Sequence, residues 1–425
     1  MGTWGSLRSV DPPITVPAWS CMMTGRDPGE LGIYGFRNRL DHDYESLAVA
    51  DSRAVRTDRV WDHLGRAGKH VIVVGVPQTS PPNAVEGELV SCFLTGDTRS
   101  DAYTYPPHLR TEIEGLVGHY RVDVRNFRSD DRDRILAEVY EMTEQRFKVC
   151  RHLLDTREWD FFMMVEIGLD RMHHAFWRYC DPSHPRHEPD HRYRDAIRNY
   201  YAYLDEEIGE LLERFDEDTA VIVVSDHGAR PMHGAICVNE WLAQEGYLVL
   251  DEPPQGLTPF RDARVDWSRT RAWGEGGYYC RLCLNVRGRE PQGVVEPAEY
   301  EPLRDELAAA LESLPGPDGR PIGTRVMRPE ELWREQRGIP PDLIVYFGDL
   351  AWRSNGSLGH GRHWTLENDT GPDDANHARD GLCVIAGPGV PAQRRGDLVI
   401  EDIAPTILSL SGLAADEGMR GRVLA

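Results

Sequence analysis

The 425-residue sequence predicts an α/β fold: a doubly wound, mostly parallel sheet between helices, with a smaller α+β unit inserted. Three observations carry that expectation. Short β-branched runs recur at 70–76, 161–167, 220–225, 342–347 and 382–386, and continuous apolar runs of this length suit strands covered on both faces. Between them lie helical patterns, with Leu, Val, Met and Phe at three- and four-residue spacing over 132–155, then 191–215 and 302–313. The rhythm breaks from 249 to 340, where Pro-rich stretches, a Gly-Glu-Gly-Gly turn and an isolated β/α patch follow one another. The expected division is a core of 1–248 and 341–425, with an inserted subdomain at 249–340 that shapes the pocket.

Composition narrows the function classes. With 48 basic and 70 acidic side chains the net charge is −22, which disfavours a nucleic-acid polymer or an anionic membrane held by surface charge. No apolar run approaches the roughly 20 residues that span a bilayer, and the start shows no signal-peptide stretch, so a cytoplasmic location is expected. The eight cysteines are scattered in apolar contexts and read as buried free thiols. Cys280-x-x-Cys283 has no second CxxC and lies in a strand-like run, so it is a weak zinc signal.

Polar residues gather beside three of the strands. Asp226 and His227 directly follow the run 220–225, and Asp170 and His174, four apart, follow 161–167; on a helix such a pair shares one face. His377 precedes the run 382–386. Carboxylates and imidazoles are the ligands that Zn²⁺ and Mn²⁺ accept. Each residue alone reads as a turn cap or a satisfied polar group; five of them flanking three strands read as a metal centre. Thr15 stands two residues before Pro17, which suits the first turn of a helix. There, free N–H groups favour an anion, and a hydroxyl facing a metal can attack phosphorus.

Thr15-Val-Pro-Ala-Trp with Thr24-Gly25, Asp170-x3-His174, Ser225-Asp-His-Gly228 and His377-x3-Gly381 resemble the motifs of the alkaline phosphatase superfamily, and more closely the type I phosphodiesterase/nucleotide pyrophosphatase family. The stretches 285–293, 340–344, 367–376, 403–406 and 419–424 match in the same order, so the resemblance covers nearly the whole chain. It implies an alkaline-phosphatase-like core and two divalent ions, Zn²⁺ first and Mn²⁺ second. Asp170, His174 and His377 would hold one ion. Asp226 and His227 would hold the other beside Thr15, the nucleophile that becomes phosphorylated. The implied substrate is a small phosphorylated molecule. Trp19, His360 and His363 are candidates for contact with it.

One departure stands out. The family begins with a strand carrying an aspartate for the second metal, whereas Met1–Val10 here resembles the segment after that unit, so the first core strand is expected to be absent and the second metal set incomplete. Asp11 sits in a turn before Pro12-Pro13 and is not read as its replacement. Gly65–His70 lacks the Ser/Thr of a phosphate loop and reads as a helix end, and His184, His187 and His191 read as a solvated loop. The expected function is hydrolysis of phosphodiester or pyrophosphate bonds. Phosphomonoester hydrolysis or phosphomutase activity, and a non-catalytic binder of phosphorylated ligands, remain the alternatives.

Overall fold

Val71–Val74 is a run of four apolar β-branched residues, all of them buried, which places it inside a sheet. In the computed structural model, which describes residues 2–424, it lies between Gly87–Val90 and Phe161–Met164 and runs parallel to both. Thr104–Tyr105 closes this four-stranded sheet in the antiparallel sense. A second four-stranded sheet runs Gln393–Val399, Thr3–Arg8, Asp380–Ala386, Val221–Val224. Thr3–Arg8 is parallel to the first of these neighbours and antiparallel to Asp380–Ala386, which is itself antiparallel to Val221–Val224. The architecture is therefore α/β with mixed sheets, which corrects the mostly parallel expectation: a β-branched run shows that a strand forms and carries no sign of its direction.

Helices cover the sheets according to their apolar faces. Leu109–Val117, Arg132–Thr156, Gly168–Cys180 and Ala196–Leu212 form a core with Ile72, Val74 and Val90. The opposite face meets Thr15–Thr24, Val60–Arg66 and Ile403–Leu410, and residues of both four-stranded sheets contribute to that one cluster, among them Val71, Val73, Cys383 and Ile385. Phe161–Met164 and Val221–Val224 each have one ladder partner among the described residues, so each presents an unpaired edge. No described helix is long and apolar enough to cross a membrane.

A third four-stranded sheet, Ala272–Glu275, Cys280–Leu284, Leu343–Tyr346, Arg325–Met327, is entirely antiparallel. Its apolar cluster extends from Ile236 to Trp364 and includes helices Val238–Gln244 and Tyr300–Glu312. Leu343–Tyr346 thus pairs with Cys280–Leu284, and the cluster takes in residues on both sides of 249 and of 340. Cys280 and Cys283 are buried free thiols within this sheet.

Candidate active site

Thr15 begins a helix whose ten residues are all buried. Pro17 falls in the first turn, where its missing N–H breaks no intrahelical bond, and Gly25 ends the helix in the left-handed region at φ 66°. The burial fixes the helix N-terminus beside the turn after Val221–Val224, where Ser9 Oγ donates to Asp226 O at 2.5 Å. That turn continues into Gly228–Pro231, which pairs antiparallel with Ala375–Ala378 and sets His377 opposite Ala229. Asp170 and His174 lie one turn apart on helix Gly168–Cys180, whose start is held by Gly168 N donating to Glu166 Oε1 at 2.6 Å.

These elements converge. Asp170, His227 and His377 each offer a ligand atom within 4.8 Å of the other two. His174 Nε2 is 3.4 Å from Asp170 Oδ1, and His377 Nε2 is 3.9 Å from the same oxygen. His227 Nε2 lies 3.2 Å from Asp226 Oδ2 and 3.3 Å from Thr15 Oγ1. The rings of His227 and His377 stack with centroids 3.7 Å apart. The tightest triad therefore takes His227 together with Asp170 and His377, so the two ligand groups implied by the resemblance adjoin one another. All three imidazoles are oriented from behind: Nδ1 of His227 donates to Gly228 O at 3.0 Å, that of His377 to Pro13 O at 2.9 Å and that of His174 to Asp373 Oδ1 at 2.7 Å. Each consequently presents Nε2 to the cluster.

The electrostatics suit a cation. Burial opposes ionisation of Asp170, yet the neighbouring His174, with Arg171 and His377, holds its carboxyl well below the usual range. Burial raises the Asp226 carboxyl, with Asp170 adding to the effect. Asp226 Oδ2 is buried and out of hydrogen-bond alignment with any partner. Burial, with His227 and His174 nearby, holds His377 well below its ordinary value. Burial opposes charge on His174, but Asp373 and Asp170 hold it well above. An orphaned buried carboxylate oxygen among imidazole nitrogens fits a divalent ion. A tetrahedral ion with bonds of about 2.0–2.1 Å sets its ligand atoms about 3.3 Å apart, close to the 3.2 Å between Asp226 and His227 and the 3.4 Å between Asp170 and His174.

Three further residues, Tyr278, Arg128 and Asp373, border the cluster, and of these only Asp373 lies in a stretch that resembles the family, 367–376. Tyr278, on the hairpin turn between Ala272–Glu275 and Cys280–Leu284, packs its ring 4.3 Å from that of His377 and sets its hydroxyl 3.3 Å from His174 Nε2. Arg128 donates to the Tyr278 hydroxyl and to Asp373. The Gly-rich turn before Tyr278 was the available signal for its approach. Trp19, His360 and His363 make no hydrogen bond, ion pair or ring contact with the cluster among the described residues. Trp19 packs in the core shared by the two sheets, His360 Nε2 pairs with Ser357 Oγ at 3.0 Å, and His363 Nε2 donates to Pro315 O at 3.3 Å. Asp11 accepts from the Tyr346 hydroxyl at 3.0 Å. His184, expected in a solvated loop, is 3% exposed and donates to Asp374 O at 3.1 Å, because that loop folds back over the start of Ala375–Ala378.

Similar folds occur among solved structures. Human ectonucleotide pyrophosphatase/phosphodiesterase 5 superposes with a TM-score of 0.55 at 13% identity, over 98% of this chain and 88% of that one. An inactive murine form in complex with AMP gives the same values. Phosphonoacetate hydrolase from Sinorhizobium meliloti 1021, in complex with phosphonoformate, gives 0.56 at 16% identity over 97% and 87%. No curated protein matches. The family model "Type I phosphodiesterase / nucleotide pyrophosphatase" matches residues 1–373, and the chain belongs to that family of phosphoester hydrolases.

Proposed function

We propose that the protein hydrolyses phosphodiester or pyrophosphate bonds of small phosphorylated substrates, with Thr15 as nucleophile. The carrying observation is the position of Thr15 Oγ1, 3.3 Å from His227 Nε2, at a helix N-terminus beside the Asp170–His227–His377 triad. The family match and neighbours that bind AMP or phosphonoformate support this substrate class.

Asp170, His174, Asp226, His227 and His377 would hold divalent ions, Zn²⁺ or Mn²⁺, which supply Lewis-acid stabilisation of the phosphoryl oxygens. The first backbone N–H groups of helix Thr15–Thr24, which lack intrahelical acceptors, orient those oxygens. Thr15 Oγ1, its proton passed to solvent, bonds to phosphorus as the bond to the leaving oxygen breaks. Water then attacks phosphorus, Thr15 departs with a proton, and the phosphorylated product is released. Support for an interrupted central sheet comes from the unpaired edges of Phe161–Met164 and Val221–Val224, which pack on one apolar cluster; we read these edges as flanking the place of one further strand in a doubly wound core.

Metal analysis of the purified chain, with hydrolysis of bis-para-nitrophenyl phosphate and para-nitrophenyl phosphate before and after chelation, tests the reading. Bound divalent metal and chelator-sensitive cleavage favouring the diester are expected. A metal-free chain without turnover supports the binding-module alternative, and a preference for the monoester supports the phosphomonoesterase.

A further inference from the structure

His227 and His377 are oriented by main-chain carbonyls, whereas His174 is oriented by a charged side chain. Asp373 Oδ1 accepts Nδ1–H of His174 at 2.7 Å, and the Asp373 side chain is 0% exposed. Its second oxygen accepts from Arg128 Nε at 2.9 Å and lies 3.7 Å from Arg353 Nη1, while Ala375 N donates to the first at 3.4 Å. The carboxylate is thereby held from both sides. An ionised carboxylate only accepts, so the proton stays on Nδ1 of His174 and Nε2 is the atom turned toward Asp170. The segment bearing Asp373 leads directly into Ala375–Ala378, which bears His377, and Asp374 N donates to His174 O at 2.8 Å. One short stretch therefore delivers one candidate ligand and grips another.

We propose that Asp373 is a positioning residue for the metal centre: it fixes the His174 imidazole with Nε2 directed at the ion and strengthens that nitrogen as a donor. This inference rests on the metal reading above. Carboxylates behind metal-binding imidazoles set both ring orientation and ligand basicity, and their loss weakens metal binding by about 10–100-fold. Asp374 provides an internal comparison. Its side chain is also 0% exposed and pairs with Arg178 at 2.7 Å, but among the described residues it makes no hydrogen bond or ion pair with a side chain of the cluster. A purely structural contribution from Asp373 would make the two aspartates equivalent.

The test is a cobalt(II) titration of the full chain, followed by visible absorption, for wild type, Asp373→Asn and Asp374→Asn, with thermal unfolding of each. Asp373→Asn is expected to weaken cobalt binding by about 10–100-fold, whereas Asp374→Asn keeps wild-type affinity even where it lowers the melting temperature. Wild-type affinity in Asp373→Asn, or an equal loss in Asp374→Asn, overturns the proposal. Wild-type protein that binds no cobalt overturns the metal reading itself. Proton NMR of the wild type covers the case of an unfolded variant. A His174 Nδ1–H resonance, assigned by its absence in His174→Gln, should persist when metal binds; its loss on metal binding would mean ligation through Nδ1 and contradict the role.

Discussion

Thr15 Oγ1 is the one protein atom that the proposed reaction bonds to phosphorus, so its removal separates chemistry from metal binding. Thr15→Ala is expected to lower turnover by about three orders of magnitude or more while leaving the metal content of the protein unchanged. Equal activity in the variant would remove Thr15 from the reaction. A second residue reports on pH. Burial, reinforced by Asp402 and Asp27, pushes the Glu401 carboxyl up to about 7 from its ordinary 4.5. The folded chain therefore holds this proton more tightly than the unfolded chain. The contribution to stability is complete below about 4.5 and is lost as the pH rises through 7. Glu401→Gln should raise the melting temperature by a few degrees at pH 8, a gain that disappears toward pH 5. His184, pulled down to about 4 by burial, loses stability from about 6.5 downward in both proteins alike, so the difference between the two isolates Glu401. A gain independent of pH would contradict this account.

At the scale of elements, the turn that launches the Asp170 helix is held by Glu166. It accepts from Gly168 N and from Arg146 Nη1 at 3.0 Å, and the Arg146 side chain is 2% exposed. Glu166→Ala leaves that guanidinium buried without its counter-charge, which costs about 3–5 kcal/mol; urea unfolding should show the loss, and a change under about 1 kcal/mol would place the pair among weak surface contacts. Local pattern made much of this layer legible. The periodicity over 132–155 becomes helix Arg132–Thr156, since amphipathic spacing persists over many turns, and the runs at 161–167 and 220–225 become strands of four residues each. Thr3–Arg8 escaped notice because Thr-Trp-Gly-Ser-Leu-Arg contains no apolar run; it alternates buried and exposed positions instead. Gln393–Val399 is polar and Arg-bearing, as suits an edge strand, and gave no signal either. The run 342–347 is a strand, but its sheet depends on long-range pairing with Cys280–Leu284. In the site, motif spacing singled out Asp170, His227 and His377. The contact of Asp373 with His174 spans 199 positions and that of Tyr278 spans 104, so neither pairing is readable from local spacing, although Asp373 falls in the matched stretch 367–376 and a Gly-rich turn precedes Tyr278.

For the molecule as a whole, two unpaired strand edges beside the site are the main liability. Val223, Val384 and Trp4 stand in register across three strands of one sheet, with Val223 36% and Trp4 48% exposed. Unpaired backbone groups next to exposed apolar side chains favour edge-to-edge association. This chain by itself is expected to aggregate on heating at low temperature. Val223→Lys should slow that aggregation, measured by light scattering, while leaving metal content unchanged. A cooperative, high-temperature unfolding transition of the unmodified chain would contradict the reading of an interrupted sheet. The net charge of −22 does not oppose an anionic substrate if the proposed divalent ions bind, because their charge would dominate the field within a few ångströms of the cluster.

The central claim, phosphoryl transfer through Thr15 at a metal cluster, is tested most directly by mass spectrometry of metal-loaded protein quenched in acid during turnover of a phosphodiester. The account predicts a substrate-derived phosphoryl group on the peptide that contains Thr15, absent after chelation and absent in Thr15→Ala. Turnover with an unmodified Thr15 peptide, or a phosphoryl group on another residue, would contradict it.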